Sequence, residues 1–218
     1  MNQRPFFKNV IRIAIPVALQ SMLQSSFSMI DQVMVGQLGS TSIAAVGIAG
    51  KFAFLYSVVI GAVTAIAGIM ISQYIGQKDQ QAADRSLCVN LLVAGGLGIA
   101  FTLLSLLLPG QIMRLYSDDA NAVSLAASYL RMIAGTYLPI GVASTLSVML
   151  RCSDRAKAPL YAAILSTLTN TGLNYILIFG KLGAPALGVR GAAIGSVASP
   201  MGECAGRRAF LPGAAFRT

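Results

Sequence analysis

Five long apolar runs, separated by short connections rich in Gly, Pro, Asp and Ser, constrain this chain more than any other feature. They cover residues 11–35, 43–74, 87–108, 123–150 and 160–179, and a sixth, incomplete run covers 188–198. Each full run has the roughly 20 residues a helix needs to cross about 30 Å of hydrocarbon. The expected fold is therefore all-α, a polytopic membrane helix bundle of about six transmembrane helices with the sixth disrupted. Composition agrees, because 56% of the residues are hydrophobic and 11% are charged, against about 25% charged in a soluble domain. A soluble core would need far more outer charge and regular amphipathic periods.

The first run follows Arg4, Lys8 and Arg12, as the core of a secretory leader would. It is too long for that, carries Gln20, Gln24, Ser25, Ser28 and Asp31, and lacks a clean A-x-A site, so it reads as a retained helix bent near Pro16.

The net charge of +9 arises from 16 Lys and Arg against seven Asp and Glu. Most basic residues sit between apolar runs and none form a run interleaved with aromatics, so membrane topology explains them and no nucleic-acid partner is expected. The amino terminus with the second and fourth connections holds Arg4, Lys8, Arg12, Lys78, Arg85, Arg151, Arg155 and Lys157, whereas the other connections hold Arg114, Lys181 and Arg190. That asymmetry predicts a multi-pass protein of the cytoplasmic (inner) membrane with a cytoplasmic amino terminus.

With no histidine and with Cys88, Cys152 and Cys204 far apart, no metal spacing is present. Neither G-x-x-x-x-G-K-[ST] nor G-x-S-x-G occurs, so no cofactor and no enzyme activity are expected. Transport, if any, has to draw on an ion gradient.

Asp31 is the only acidic residue well inside an apolar run. A carboxylate in hydrocarbon is costly, so it faces a cavity, pairs with a partner or takes up a proton, unless it reaches water at the surface. Asn170 and Asn174, four apart in LTNTGLNYILIFG, point the same way from one helix. They either line a wet interior or join two helices through their amides. Gln20 and Gln24 form a similar stripe on the first helix.

The segment IPVALQSMLQSSFSMIDQVMVGQLGSTSIAAVGIA, together with ISQYIGQKD, SYLRMIAGTYLP, LNYILIFG and LGVRGAAIGS, resembles the amino-terminal lobe of multidrug and toxic compound extrusion (MATE) transporters over about residues 8–198. The resemblance implies a proton- or sodium-coupled antiporter lobe that exports amphipathic drug-like compounds and needs a second lobe, related to it as a repeat, to enclose the cavity. It places cation coupling on Asp31, the polar fifth-helix positions on Asn170 and Asn174, and a sixth-helix hydroxyl on Ser196. Gln20, Gln24 and Lys51 are further candidates for the substrate cavity.

Two positions depart from the family pattern: LRCSDRAKAP replaces a glycine-rich turn, and Lys51 stands in the second helix where a neutral residue is expected. Lys51 either snorkels to the surface or lies at the depth of Asp31, within ion-pair range. The tail 199–218 diverges in composition, carrying Pro200, Glu203, Arg207, Arg208 and Pro212, and is expected to lack a membrane-spanning helix, as an out-of-frame segment would. The alternative functions are a lipid-linked oligosaccharide flippase, which would line its cavity with several cations, and a non-transporting membrane fragment.

Overall fold

The computed structural model describes residues 4–153, 157–181, 185 and 187–209. Among these the chain is a bundle of eight α-helices: α1 (Arg4–Gly36), α2 (Ser40–Gly76), α3 (Gln80–Leu107), α4 (Pro109–Arg114), α5 (Ala120–Ile133), α6 (Tyr137–Cys152), α7 (Lys157–Phe179) and α8 (Val189–Ala209). A single 3-10 turn, Ala134–Thr136, joins α5 to α6, so the two form one membrane crossing.

Among the described residues, four helical segments are long and apolar enough to span a membrane: Ser40–Gly76, Gln80–Leu107, Ala120–Cys152 and Lys157–Phe179. The chain is a multi-pass membrane protein. α1 is not among the four, because Gln20, Gln24, four serines (Ser21, Ser25, Ser26, Ser28) and Asp31 dilute its apolar residues. At 1.5 Å per residue it is nonetheless about 50 Å long.

The connections follow from local chemistry. Gly39 adopts φ 107° between α1 and α2, where a side chain would be strained. Asp79 caps α3 by accepting from the Ala82 N–H at 2.9 Å, and Asp119 caps α5 by accepting from Asn121 N–H at 2.9 Å. These acids sit at helix starts, where a carboxylate meets orphan N–H groups; Asp31 has no such role. Pro109 opens α4, a short helix absent from the sequence expectations, at the position where its missing N–H costs nothing. The 3-10 turn lies just before Pro139, whose ring nitrogen cannot donate to the Gly135 carbonyl four residues earlier.

Of the packing centres among the described residues, two bear most on the site. In one, Phe52 and Tyr56 of α2, Phe101 of α3 and Tyr137 of α6 stack with centroids 4.9–6.2 Å apart, and the buried Tyr56 hydroxyl donates to the Tyr137 carbonyl. The other joins α1, α7 and α8 through Met34, Val35, Ile178 and Ala192. There α8 lies against α7 along Gly191 and Gly195, one turn apart. A Cβ on Gly191 would sit 2.6 Å from the Leu177 carbonyl, and one on Gly195 would overlap Asn174 Oδ1. Small residues four apart allow backbones to approach this closely in lipid.

In the sixth helix, α8, the backbone stays helical past Pro200 to Ala209, eleven residues beyond the end of the apolar run at 198. Its apolar part is Val189–Ala198, too short to span by itself. Residues 210–218 and the Asp154–Arg155 part of the fourth connection lie outside the described residues.

Candidate functional site

Asp31 stands on α1 five residues before its end, half-buried, and faces α7. Its Oδ1 accepts a hydrogen bond of 3.0 Å from Asn174 Nδ2, and the same amide donates to Asn170 Oδ1 at 3.1 Å. Both amide protons of Asn174, which is 1% exposed, are thereby used. The bond satisfies a donor that hydrocarbon could not, and it fixes one oxygen of the carboxylate while leaving the other for a cation or proton.

Asp31 and Asn174 open onto a cavity of about 670 Å³, which Ser28, Gln32, Lys51, Tyr129 and Ser196 also line. Val35, Ile43, Val46 and Phe54 supply apolar walls. Tyr129 of α5 lies within hydrogen-bonding reach of Ser196 on α8 and close enough to Asp31 to feel its charge. The site thus draws on α1, α2, α5, α7 and α8. Its backbone approach depends on Gly195, whose bare Cα admits the Asn174 amide.

The structure brings Asp31, Asn170, Asn174 and Ser196 together and places Lys51 on the same cavity. It does not place Gln20 there. Gln20, 5% exposed, accepts a 2.9 Å hydrogen bond from Arg151 Nη2 at the end of α6. Eleven residues of helix put it about 16 Å from Asp31 along α1. Gln24 is exposed and does not line the cavity either. A stripe four residues apart signals a polar face but not which neighbour meets it, and here the face met an arginine rather than a cavity.

Lys51 and Asp31 line the same cavity but form no ion pair among the described residues. Lys51 lies eleven residues into α2, which begins at Ser40, and its side chain is exposed.

Tyr129 was not singled out by sequence reasoning, although its signal was present: an aromatic hydroxyl in a membrane helix, one of few polar groups there able to satisfy another buried hydroxyl. The Gly191-x-x-x-Gly195 spacing was equally open to reading.

Residues 16–176 match the family model MatE. The chain is 31% identical over 194 residues to the probable multidrug resistance protein NorM of Agrobacterium fabrum and 30% identical over 193 residues to that of Thermotoga maritima, each alignment covering 88% of this chain and 41% of the relative. The chain therefore spans less than half the length of these curated relatives. Among solved structures, it superposes on a MOP superfamily transporter from Pyrococcus furiosus with a TM-score of 0.84 and 25% identity, over 96% of this chain and 45% of that one. It superposes equally, with a TM-score of 0.84 and 25% identity, on the outward-facing conformation of a multidrug resistance MATE family transporter, covering 95% and 45% of the two chains.

Proposed function

The chain belongs to the MatE family of transporters, and on that premise we propose that it forms one lobe of an ion-coupled antiporter that exports amphipathic organic compounds across the cytoplasmic membrane. The observation that carries this reading is the Asp31–Asn174–Asn170 chain opening on a partly apolar cavity of drug-sized volume. Asp31 takes up the coupling proton or sodium ion. Asn174 holds the carboxylate in place, Asn170 orients Asn174, and Ser196 with Tyr129 completes the polar wall.

A cation on Asp31 and a substrate in the same cavity compete for one polar surface, which gives exchange a physical basis: loading one weakens the other. The hydrogen bond from Asn174 links Asp31 to α7, and the Asn174 amide lies against Gly195 of α8, so a change of charge on Asp31 is felt at a close helix contact. A flippase cavity would carry several cations, whereas Lys51 is the one cationic side chain among the residues lining this cavity. A second lobe is required to close the cavity, and the coverage of less than half of each relative is consistent with that need. The amino terminus is cytoplasmic in this reading, from the placement of basic residues.

The test uses the purified chain in detergent at low buffer capacity. An amphipathic ligand that competes with the coupling ion releases protons, read with a pH dye, or displaces radioactive sodium, read by scintillation. Asp31→Asn is expected to remove the released ion while ligand still binds. Ion release undiminished in Asp31→Asn would overturn the coupling role.

A further inference from the structure

A second cavity, of about 790 Å³, lies between the last turns of α1 and α7. On α1 it is lined by Ile30, Met34 and Gln37, and on α7 by Tyr175 and Phe179, with Lys181 just beyond the helix end. Ile30 adjoins Asp31 and Tyr175 adjoins Asn174, so this groove and the Asp31 cavity lie on the two sides of one α1–α7 seam. Its charge and amide are gathered at one end: Gln37 and Lys181, both exposed, stand where α1 and α7 have ended. Below them the walls are apolar or aromatic, with the Tyr175 and Phe179 rings 5.7 Å apart, and Thr171 at the deep end keeps its hydroxyl oxygen buried. From Thr171 to Phe179 the groove follows eight residues of helix, about 12 Å, close to one leaflet's half of the roughly 30 Å hydrocarbon core. Gly172 has nothing within 4 Å of a would-be Cβ, so the wall is open to a chain lying along it.

We propose that this groove seats an anionic phospholipid of the leaflet at which α1 and α7 end, its acyl chain against Ile30, Met34, Tyr175 and Phe179 and its phosphate at Lys181 and Gln37. Lys181 is exposed and needs no counter-charge; what selects the lipid is the match of polarity to depth. A basic side chain and an amide stand at headgroup level, above an apolar wall about one acyl chain long, and the two rings lie where aromatic side chains favour the membrane boundary. One basic residue at that level favours an anionic over a zwitterionic headgroup by about fivefold. The inference stands apart from the transport reading, since it needs only that α1 and α7 lie in a bilayer.

The chain has no tryptophan, so a single introduced one reports on its own surroundings. Phe179→Trp places it in the groove. Leu107→Trp places the control on the 73% exposed position at the end of α3, which leaves the membrane on the same side. Each full chain is reconstituted in phosphatidylcholine bilayers with a rising fraction of phosphatidylglycerol whose acyl chain is brominated, and quenching gives the binding of that lipid relative to phosphatidylcholine. Phosphatidylglycerol is expected to be preferred about fivefold at Phe179→Trp and to within about twofold of parity at Leu107→Trp. Brominated phosphatidylcholine should show no preference at either position. In the Phe179→Trp background, Lys181→Gln removes the headgroup contact and Gly172→Leu fills the open wall, and each should bring the preference down to the control value. Equal preference at the two positions, preference that survives both variants, or preferential quenching by phosphatidylcholine as strong as by phosphatidylglycerol would each overturn the proposal. Emission restored by inorganic phosphate, but not by chloride at the same ionic strength, would assign the polar end to a free anion and overturn the lipid seat as well.

Discussion

Replacing Gly195 by alanine adds a single methyl group, yet the structure gives it a large and specific cost. The new Cβ overlaps Asn174 Oδ1 and comes within 3.1 Å of Asn174 Cγ and 3.5 Å of its backbone nitrogen. Either α8 moves off α7 or the amide rotates away from Asp31. Overpacking of this kind costs about 1–3 kcal/mol, and loss of the Asn174–Asp31 bond adds about 0.6 to 2 kcal/mol in a bilayer. Removing a glycine from a helix interior returns about 0.5–1 kcal/mol, so the net expected destabilisation is about 1–4 kcal/mol. Unfolding of the detergent-solubilised chain by sodium dodecyl sulphate, followed by far-ultraviolet circular dichroism, measures it. Gly172→Ala is the control, since α7 leaves open space around that Cα, and it is expected to be neutral or stabilising by up to about 1 kcal/mol. A double-mutant cycle isolates the cause: Asn174→Ala removes the atoms that the added methyl meets, so Gly195→Ala combined with it should cost no more than Asn174→Ala alone. Full additivity, or equal effects of Gly195→Ala and Gly172→Ala, would refute the packing argument.

Other outcomes follow from single contacts. Tyr56→Phe, which removes the donor to the Tyr137 carbonyl in the aromatic centre, is expected to destabilise the bundle by about 1–2 kcal/mol in the same unfolding assay. Gln20→Leu leaves the Arg151 guanidinium, whose Nε is already without a partner, lacking its acceptor; a loss of about 1–3 kcal/mol is expected, whereas Gln24→Leu, at an exposed position, should change stability by less than about 0.5 kcal/mol. For topology, single cysteines placed at Gln77 and at Asn121 in a cysteine-free background should react with an impermeant maleimide from the cytoplasmic and the outer side respectively. Labelling of both from one side would contradict the alternation of the spans.

Much of this architecture could be read from hydropathy and punctuation. Apolar runs long enough for lipid, with Gly39, Asp79, Pro109 and Asp119 at their ends, identify the crossings, because spanning length and orphan backbone groups are local properties. Asp31 stood out for a similar reason: a charge amid apolar residues is conspicuous before any partner is known. What escaped was pairing across the chain. Nothing within a few residues of Gln20 indicates that Arg151, more than a hundred positions away, will meet it, and nothing near Lys51 reveals that α2 starts three residues before its apolar run. In the tail, composition and backbone geometry part company. Composition governs whether a segment enters lipid, but helical backbone geometry needs only local hydrogen bonds, so α8 keeps its helix where its apolar character has ended.

The glycine face of α8 also bears on how the lobe is assembled during synthesis. With an apolar stretch of only ten residues, Val189–Ala198, this segment has little drive to partition into a bilayer by itself when the insertion machinery samples it. Its hold on the membrane comes from fitting α7, backbone to backbone at Gly191 and Gly195. α7 must therefore be in place first, and α8 docks onto it as the second arm of a helical hairpin, a step that recognises shape instead of hydrophobicity. A bulky residue at Gly191 would then be felt as early as biogenesis, leaving a chain with its earlier crossings inserted and its last helix stranded at the membrane surface.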